Sequence, residues 1–309
     1  MEVPHIPVLK DEVIDIFKEI KSGYIVDCTL GYGGHSEALL KSNENIKLIC
    51  IDQDSEALEF SKKRLKRFKD RVIFEKGRFS KVIAKHLDKD IKGILADIGV
   101  SSLQLDKKDR GFGFDSDKLD MRMDKESSLS ASDVVNHYDR ERLEAILRDY
   151  GEIREYRKVA DIIIKKRPFA SARELSQTIE KNFRKRGRIH SATLVFQAIR
   201  IEVNDELGEL NRLLESIENS QIDNCLVAII SFHSLEDRIV KRTFKEWSKS
   251  CICLPDSYKC TCGNDNALGK IVTKKPITPT KEELKANPRS RSSKMRVFKI
   301  EREKAKKDE

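Results

Sequence analysis

Short apolar runs and amphipathic segments alternate through the first hundred residues. The runs "YIVDCTL" (24–30), "KLICIDQD" (47–54), "RVIFEKGRF" (71–79) and "GILADIGV" (93–100) predict strands of four to seven residues. Between them, "VLKDEVIDIFKEI", "HSEALLKS", "SEALEFSKKRLKRF" and "SKVIAKHL" predict helices. This alternation implies an α/β fold, a doubly wound parallel sheet. The rhythm then stops. Residues 102–130 are irregular and rich in Gly, Asp and Ser, and 131–207 read as helices alone, with start signals in "SLSASDVV" and "RPFASARELSQTI". Strand character resumes in "NCLVAIISF" (224–232), followed by helix "SLEDRIVKRTFKEW" and, in "SKMRVFKI" (293–300), an edge strand. The expected organisation is a discontinuous domain (1–105 and 208–300) interrupted by a helical insert (106–207), with a charged, disordered tail at 301–309.

Composition adds constraints. The 309 residues are 39% hydrophobic, ample for a core, and no apolar run reaches membrane-spanning length. The start "MEVPHIPVLKDEV" lacks a secretory pattern, so a soluble, cytoplasmic protein without a membrane partner is expected. Cys28, Cys50 and Cys225 sit in apolar runs as small hydrophobes, which suits a reducing compartment. The net charge of +9 is localised: residues 154–190 hold twelve Lys/Arg against four Asp/Glu, and 270–309 hold fourteen against six. Basic blocks on an otherwise acidic body suggest a polyanionic partner; two solvated helix faces and a tail account for them equally well.

The turn "LGYGGHS" reads G-x-G-x-x-S, with Gly31 and Gly33 after a strand and Ser36 in the third position. Asp52 ends the next strand, twenty-one residues past Gly31, where a carboxylate can accept both hydroxyls of an adenosine ribose. The competing reading is a plain turn with Asp52 capping the following helix. A pyrophosphate favours a third glycine and a bare helix start, whereas Asp27 could meet an ammonium and His35 crowds the helix. The turn therefore leans towards S-adenosylmethionine over a dinucleotide.

Several blocks then fall in order: "HIPVLKDEV", "DCTLGYGGHSEALL", "CIDQDSEAL", "GRFS", "LADIGVSSLQLD", "RGFGF", "LDMRMD", "FQAIRIEVNDEL", "ISFHSLEDRIVK" and "NPRSRSSKMR". The chain resembles the bacterial 16S ribosomal RNA cytosine-N4 methyltransferase family (RsmH or MraW type) to about Ile300. The resemblance implies a class I S-adenosylmethionine-dependent methyltransferase with a Rossmann-like sheet and an inserted all-helical, RNA-binding domain. Its target would be a cytidine N4 in the decoding region of the small ribosomal subunit. It also implies cofactor contacts at Gly33, Gly34, His35, Asp52, Phe79, Asp97 and Gln104. The sequence departs from the family pattern at Leu103, at Gly113 and over Ser191–Leu194. A nicotinamide oxidoreductase and a non-catalytic RNA-binding assembly factor are the competing functions, and a homodimer stays open.

For catalysis, the strand-end segments "LADIGVSS" and "ISFHSLEDR" offer Asp97 and His233, with Ser231 and Glu236 on the same rim. The competing readings are a cofactor contact alone for Asp97 and a satisfied helix-start histidine for His233. Phe112 and Phe114 could stack an exposed cytosine, although phenylalanines beside such loops more often anchor them to a core. Cys251, Cys253, Cys260 and Cys262 form two C-x-C pairs. Four thiolates so close could hold one zinc, but the spacing is tighter than the usual C-x₂₋₄-C, and no metal ligand is assigned.

Overall fold

The computed structural model describes residues 6–183, 190–254 and 259–302. The chain divides into two compact units, one of residues 1–99 and 209–309 and the other of residues 100–208. The first opens with helix α1 (Lys10–Phe17) and then alternates: β1 (Gly23–Asp27), α2 (Gly34–Ser42), β2 (Ile46–Asp52), α3 (Ser55–Arg64), β3 (Val72–Lys76), α4 (Phe79–Ile83) and β4 (Ile91–Asp97). The second holds α5 (Ser102–Asp106), α6 (Ala131–His137), α7 (Arg140–Asp149), α8 (Tyr156–Lys166), α9 (Ala172–Asn182) and α10 (Thr193–Asn204). The boundary falls within α11 (Glu206–Glu218), after which β5 (Cys225–Ser231), α12 (Ser234–Trp247), β6 (Gly269–Ile271), α13 (Lys281–Ala286) and β7 (Lys294–Ile300) complete the first unit.

The sheet runs β3-β2-β1-β4-β5-β7-β6. Strands β1 to β5 pair in parallel, and β7 pairs antiparallel with β5 and β6. The doubly wound α/β sheet expected from the alternation is present. The expected edge strand is not at an edge: β7 is paired on both sides, and Val297 and Phe298 are fully buried. The true edge, β6, is three residues long, too short to leave a periodic signature. Central strands buried on both faces explain why runs such as Ile46–Asp52 are almost continuously apolar. One core lies under α11, α12 and α4, the other under α1 and α2.

The second unit has its own core, built from α6–α10 and the irregular stretch before them. Its polar motifs are structural. Arg110, 1% exposed, donates from Nη2 to the carbonyls of Arg122 and Met123. Gly111 has φ 79°, and a Cβ there would lie 2.5 Å from the Asp120 amide nitrogen. Phe112 is buried in this core, and Phe114 stacks on His190 at 4.4 Å. Asn204 accepts from the Met123 N–H and donates to the Met121 carbonyl, each at 2.8 Å, pinning that loop to α10. Arg200 grips the buried Glu206 carboxylate with two bonds of 2.8 and 2.9 Å.

Asn204→Ala leaves a buried N–H and a carbonyl unsatisfied, which should cost about 2–4 kcal/mol. A urea titration following the second unit should show the loss; an unchanged midpoint would contradict the assignment.

Candidate active site

The sheet reverses direction of growth between β1 and β4, since β2 and β3 extend it on one side and β5 on the other. Ligands bind in the crevice that such a reversal opens at the carboxyl ends of the strands. Asp27, Asp52, Asp97 and Ser231 end β1, β2, β4 and β5 there.

Asp27 is 1% exposed. Its Oδ2 accepts from the Ser36 hydroxyl at 2.6 Å and its Oδ1 from the Thr29 N–H at 3.2 Å. Burial pushes its carboxyl above the usual range, against the opposing pull of the Ser36 hydrogen bond. Asp27 therefore braces the turn against α2 and is not open to a ligand's ammonium.

The turn itself needs its glycines. Gly31 (φ 50°) and Gly33 (φ 72°) lie in the left-handed region, and a Cβ on Gly34 would approach Pro7 Cγ to 2.4 Å. Ser61 of α3 donates to the Gly31 carbonyl at 2.7 Å, and Arg64 to the Tyr32 carbonyl at 3.1 Å. Asp52 joins the two halves, its Oδ2 accepting from Gly31 N–H and its Oδ1 from Asp54 N–H, both at 2.8 Å. The cap of α3 is Asp54, which accepts from Glu56 N–H. Each Asp52 oxygen thus keeps a second lone pair for a ligand hydroxyl. Desolvation raises its pKa to about 6.

His35 opens α2 at 7% exposure, with Nε2 3.5 Å from Asp97 Oδ2. Neither ring nitrogen has a hydrogen-bond partner, and Asp97 Oδ1 has none either. The Asp97 N–H donates to the Thr29 hydroxyl at 2.7 Å, so the first turn also fixes the end of β4. Beyond β5, Phe232 and His233 donate their N–H groups to Glu236 Oε2 at 2.8 and 3.3 Å. Glu236 is fully buried; its Oε1 lies 3.0 Å from His233 Nε2, yet neither atom meets hydrogen-bond geometry and His233 Nδ1 is also unpartnered. Ser231 instead donates to the Lys294 carbonyl at 3.3 Å.

Phe79 begins α4, half-buried against the core, and the adjoining Ser80 hydroxyl is hydrogen-bonded to buried Glu209. Gln104 lies in the second unit, its Oε1 accepting from Ser101 N–H at 3.0 Å. The turn motif marks Ser36 only as its third position, and nothing in the sequence marks Thr29 or Ser61. Small hydroxyls carry no spacing signal, and only the folded turn reveals what they hold.

Unsatisfied buried nitrogen and oxygen atoms beside two left-handed glycines, with a carboxylate keeping two acceptor sites, fit an adenosine-bearing ligand. A family model of the MraW methylases matches residues 2–301. The chain belongs to the MraW methylase family. It is 62% identical over 301 residues to the ribosomal RNA small subunit methyltransferase H of Aliarcobacter butzleri, covering 97% of this chain and 100% of that one. It is 58% identical over 301 residues to the protein of the same name from Wolinella succinogenes, covering 96% and 99%. A solved precorrin-6y C5,15-methyltransferase from Geobacter metallireducens spans 95% of this chain and 87% of its own at 6% identity and TM-score 0.43, too remote to carry an argument. The chain is thus a methyltransferase, and its cofactor is S-adenosylmethionine.

Asp52 accepts hydroxyls best as a carboxylate. With its folded pKa raised to about 6, that form is present above pH 6 and lost as the pH falls through it. Adenosylhomocysteine affinity should be flat above pH 6 and weaken by up to about tenfold per pH unit below it. Calorimetry from pH 5 to 8 checks this, and Asp52→Asn should abolish the slope; an equal slope in that variant would exclude Asp52 as its source.

Proposed function

We propose that this methyltransferase transfers a methyl group to the exocyclic N4 amine of a cytidine in the decoding region of 16S ribosomal RNA. The relatives' shared name supports the small-subunit substrate. The choice of N4 rests on one observation: the strand ends offer unpartnered acceptors but no thiolate. Methylation at C5 needs a nucleophile, typically a cysteine, to add to the ring. Cys28 follows β1 at 1% exposure, and burial pushes its thiol well above the usual range. Cys50 is shifted the same way, Cys225 begins β5 at the opposite end, and the remaining four lie in the loop between α12 and β6.

The cofactor supplies an electrophilic methyl on a sulfonium. Asp52 would take the ribose hydroxyls, Gly33, Gly34 and His35 would line the turn, and Phe79 would pack beside the adenine. Gln104 is the remaining contact that the resemblance implies. The N4 lone pair is delocalised into the ring, so reaction requires in-line placement and an acceptor that draws the amine towards tetrahedral geometry. Asp97 Oδ1 and the unprotonated ring nitrogen of neutral His233 are the acceptors this reading assigns, and either can take the proton the amine loses. The Glu236 carboxylate fixes the backbone that presents His233.

The second unit is the substrate-binding domain in this reading. Within 154–190, Arg167 holds the Val135 and Tyr138 carbonyls and Arg173 pairs with Asp117, so those charges are structural. Lys165, Lys166 and Lys181 are exposed. Arg184, Lys185 and Arg186 lie outside the described residues.

Nucleoside mass spectrometry of small subunits methylated by the purified protein should find N4-methylcytidine, and Cys28→Ala should retain the reaction. 5-Methylcytidine, or a covalent adduct with 5-fluorocytidine RNA, would sink the mechanism. Neutralising Lys181, Arg184, Lys185 and Arg186 together should flatten the salt dependence of subunit binding by about 3 in log–log slope, while leaving cofactor affinity alone. An identical slope would return this segment to a solvated face.

A further inference from the structure

The link between α12 and β6 is the least cohesive part of the first unit. Over residues 248–268 no described residue is helical or in a strand, and of those described only Leu268 is buried. Its apolar side chains do not pack: Ile252 is 65% exposed and Leu254 80%. The base is closed by backbone bonds, Leu268 N–H to the Trp247 carbonyl at 2.7 Å and Asn266 N–H to the Ser250 carbonyl at 3.0 Å. Among the described residues nothing apolar holds the tip, yet four cysteines converge there.

Their sulfurs make a compact tetrahedral set. Cys251 lies 3.7 Å from Cys260 and 3.7 Å from Cys262, Cys260 is 3.6 Å from Cys262 and 4.0 Å from Cys253, and all four fall within 4.8 Å of one another. A disulfide would need a separation of about 2.05 Å. Four sulfurs each about 2.3 Å from one central ion lie about 3.8 Å apart at tetrahedral geometry. Four of the six edges, at 3.6 to 4.0 Å, match that figure and the other two lie within 4.8 Å; a volume this small admits a single ion and not a cluster of several irons and sulfides.

The backbone supports the same reading. Ile252, between the first two cysteines, donates its N–H to Cys262 Sγ at 3.4 Å. Thr261, between the second two, donates its N–H to Cys253 Sγ at 3.3 Å. Each C-x-C pair thus lends an amide to a sulfur of the other. Amide donors of this kind orient thiolates and spread their charge, the office of outer-shell partners around a metal. The tight spacing left the metal unassigned in the sequence; in the fold each short pair contributes two corners of the tetrahedron.

We propose that Cys251, Cys253, Cys260 and Cys262 bind one structural zinc ion as thiolates, closing the tip of the loop between α12 and β6. A closed four-sulfur shell leaves no coordination position for substrate, so this ion takes no part in methyl transfer. Its free energy of binding orders a loop that lacks a core of its own.

The test uses the full chain purified under reducing conditions. Elemental analysis should find about one zinc per chain. Titration with a mercurial thiol reagent, read with a colorimetric zinc chelator, should release that zinc as the four thiols react. Replacing the zinc by cobalt should produce the visible bands of a tetrahedral thiolate site. Cys253→Ser with Cys260→Ser should bring zinc to background, while adenosylhomocysteine affinity, measured on the same sample, reports that the sheet has folded. Wild-type protein that stays free of zinc after incubation with excess metal would overturn the proposal. Iron in place of zinc, disulfides between the four cysteines, or full zinc in the double variant would do the same.

Discussion

The carboxylate of Asp27 is the constraint on which the rest of the site depends. It is buried at the end of the first strand, where an ionised group is costly, and its two oxygens are met by the Ser36 hydroxyl and the Thr29 amide. Those bonds fix the helix after the glycine turn and the residue before it at once. Thr29 then accepts from the Asp97 amide, which carries the same constraint to the fourth strand. From one buried carboxyl group the chain obtains a braced glycine turn that leads into α2. Its hydrogen bonds are internal to the scaffold, so the groups that meet ligand can remain unsatisfied.

That division between satisfied scaffold and unsatisfied rim runs through the whole site. Asp27, Ser61 and Arg64 have their partners within the protein. His35, Asp97 and His233 each keep polar atoms with no partner. Buried polar atoms without partners destabilise a fold, so their concentration at the ends of adjacent strands supports the candidate site there. The Glu236 carboxylate shows both behaviours in one group, one oxygen holding two backbone amides and the other left bare beside His233.

The sheet and the candidate site at its strand ends were legible because they depend on long apolar runs and on a turn with a carboxylate at a fixed distance. Strands β1, β2 and β4 are buried on both faces and read as such. What escaped was short or non-local. Strand β6 has three residues and leaves no pattern, so the sequence predicts its partner β7 as an edge. The duty of Asp27 could not be read from its position, because Ser36 and Thr29 announce nothing until the turn is folded. The pairing of Ser80 with Glu209 joins residues far apart in sequence, and no local pattern encodes it. The four late cysteines were visible at once, but their geometry was not, since the two pairs meet only when the intervening chain folds back.

The central position of β7 also bears on synthesis. Ser231 of β5 and its partner Lys294 are separated by 63 residues, so the ribosome releases the fifth strand well before the strand that covers it. During that interval Cys225–Ser231 presents an unpaired, apolar edge, the kind of surface on which nascent chains associate wrongly. The loop between α12 and β6 occupies the same interval. A loop that closes early shortens the search by which β7 finds its slot between β5 and β6. The sheet is thus sealed from its interior, by a late strand that leaves the three residues of β6 and the Ile277 bridge outside it.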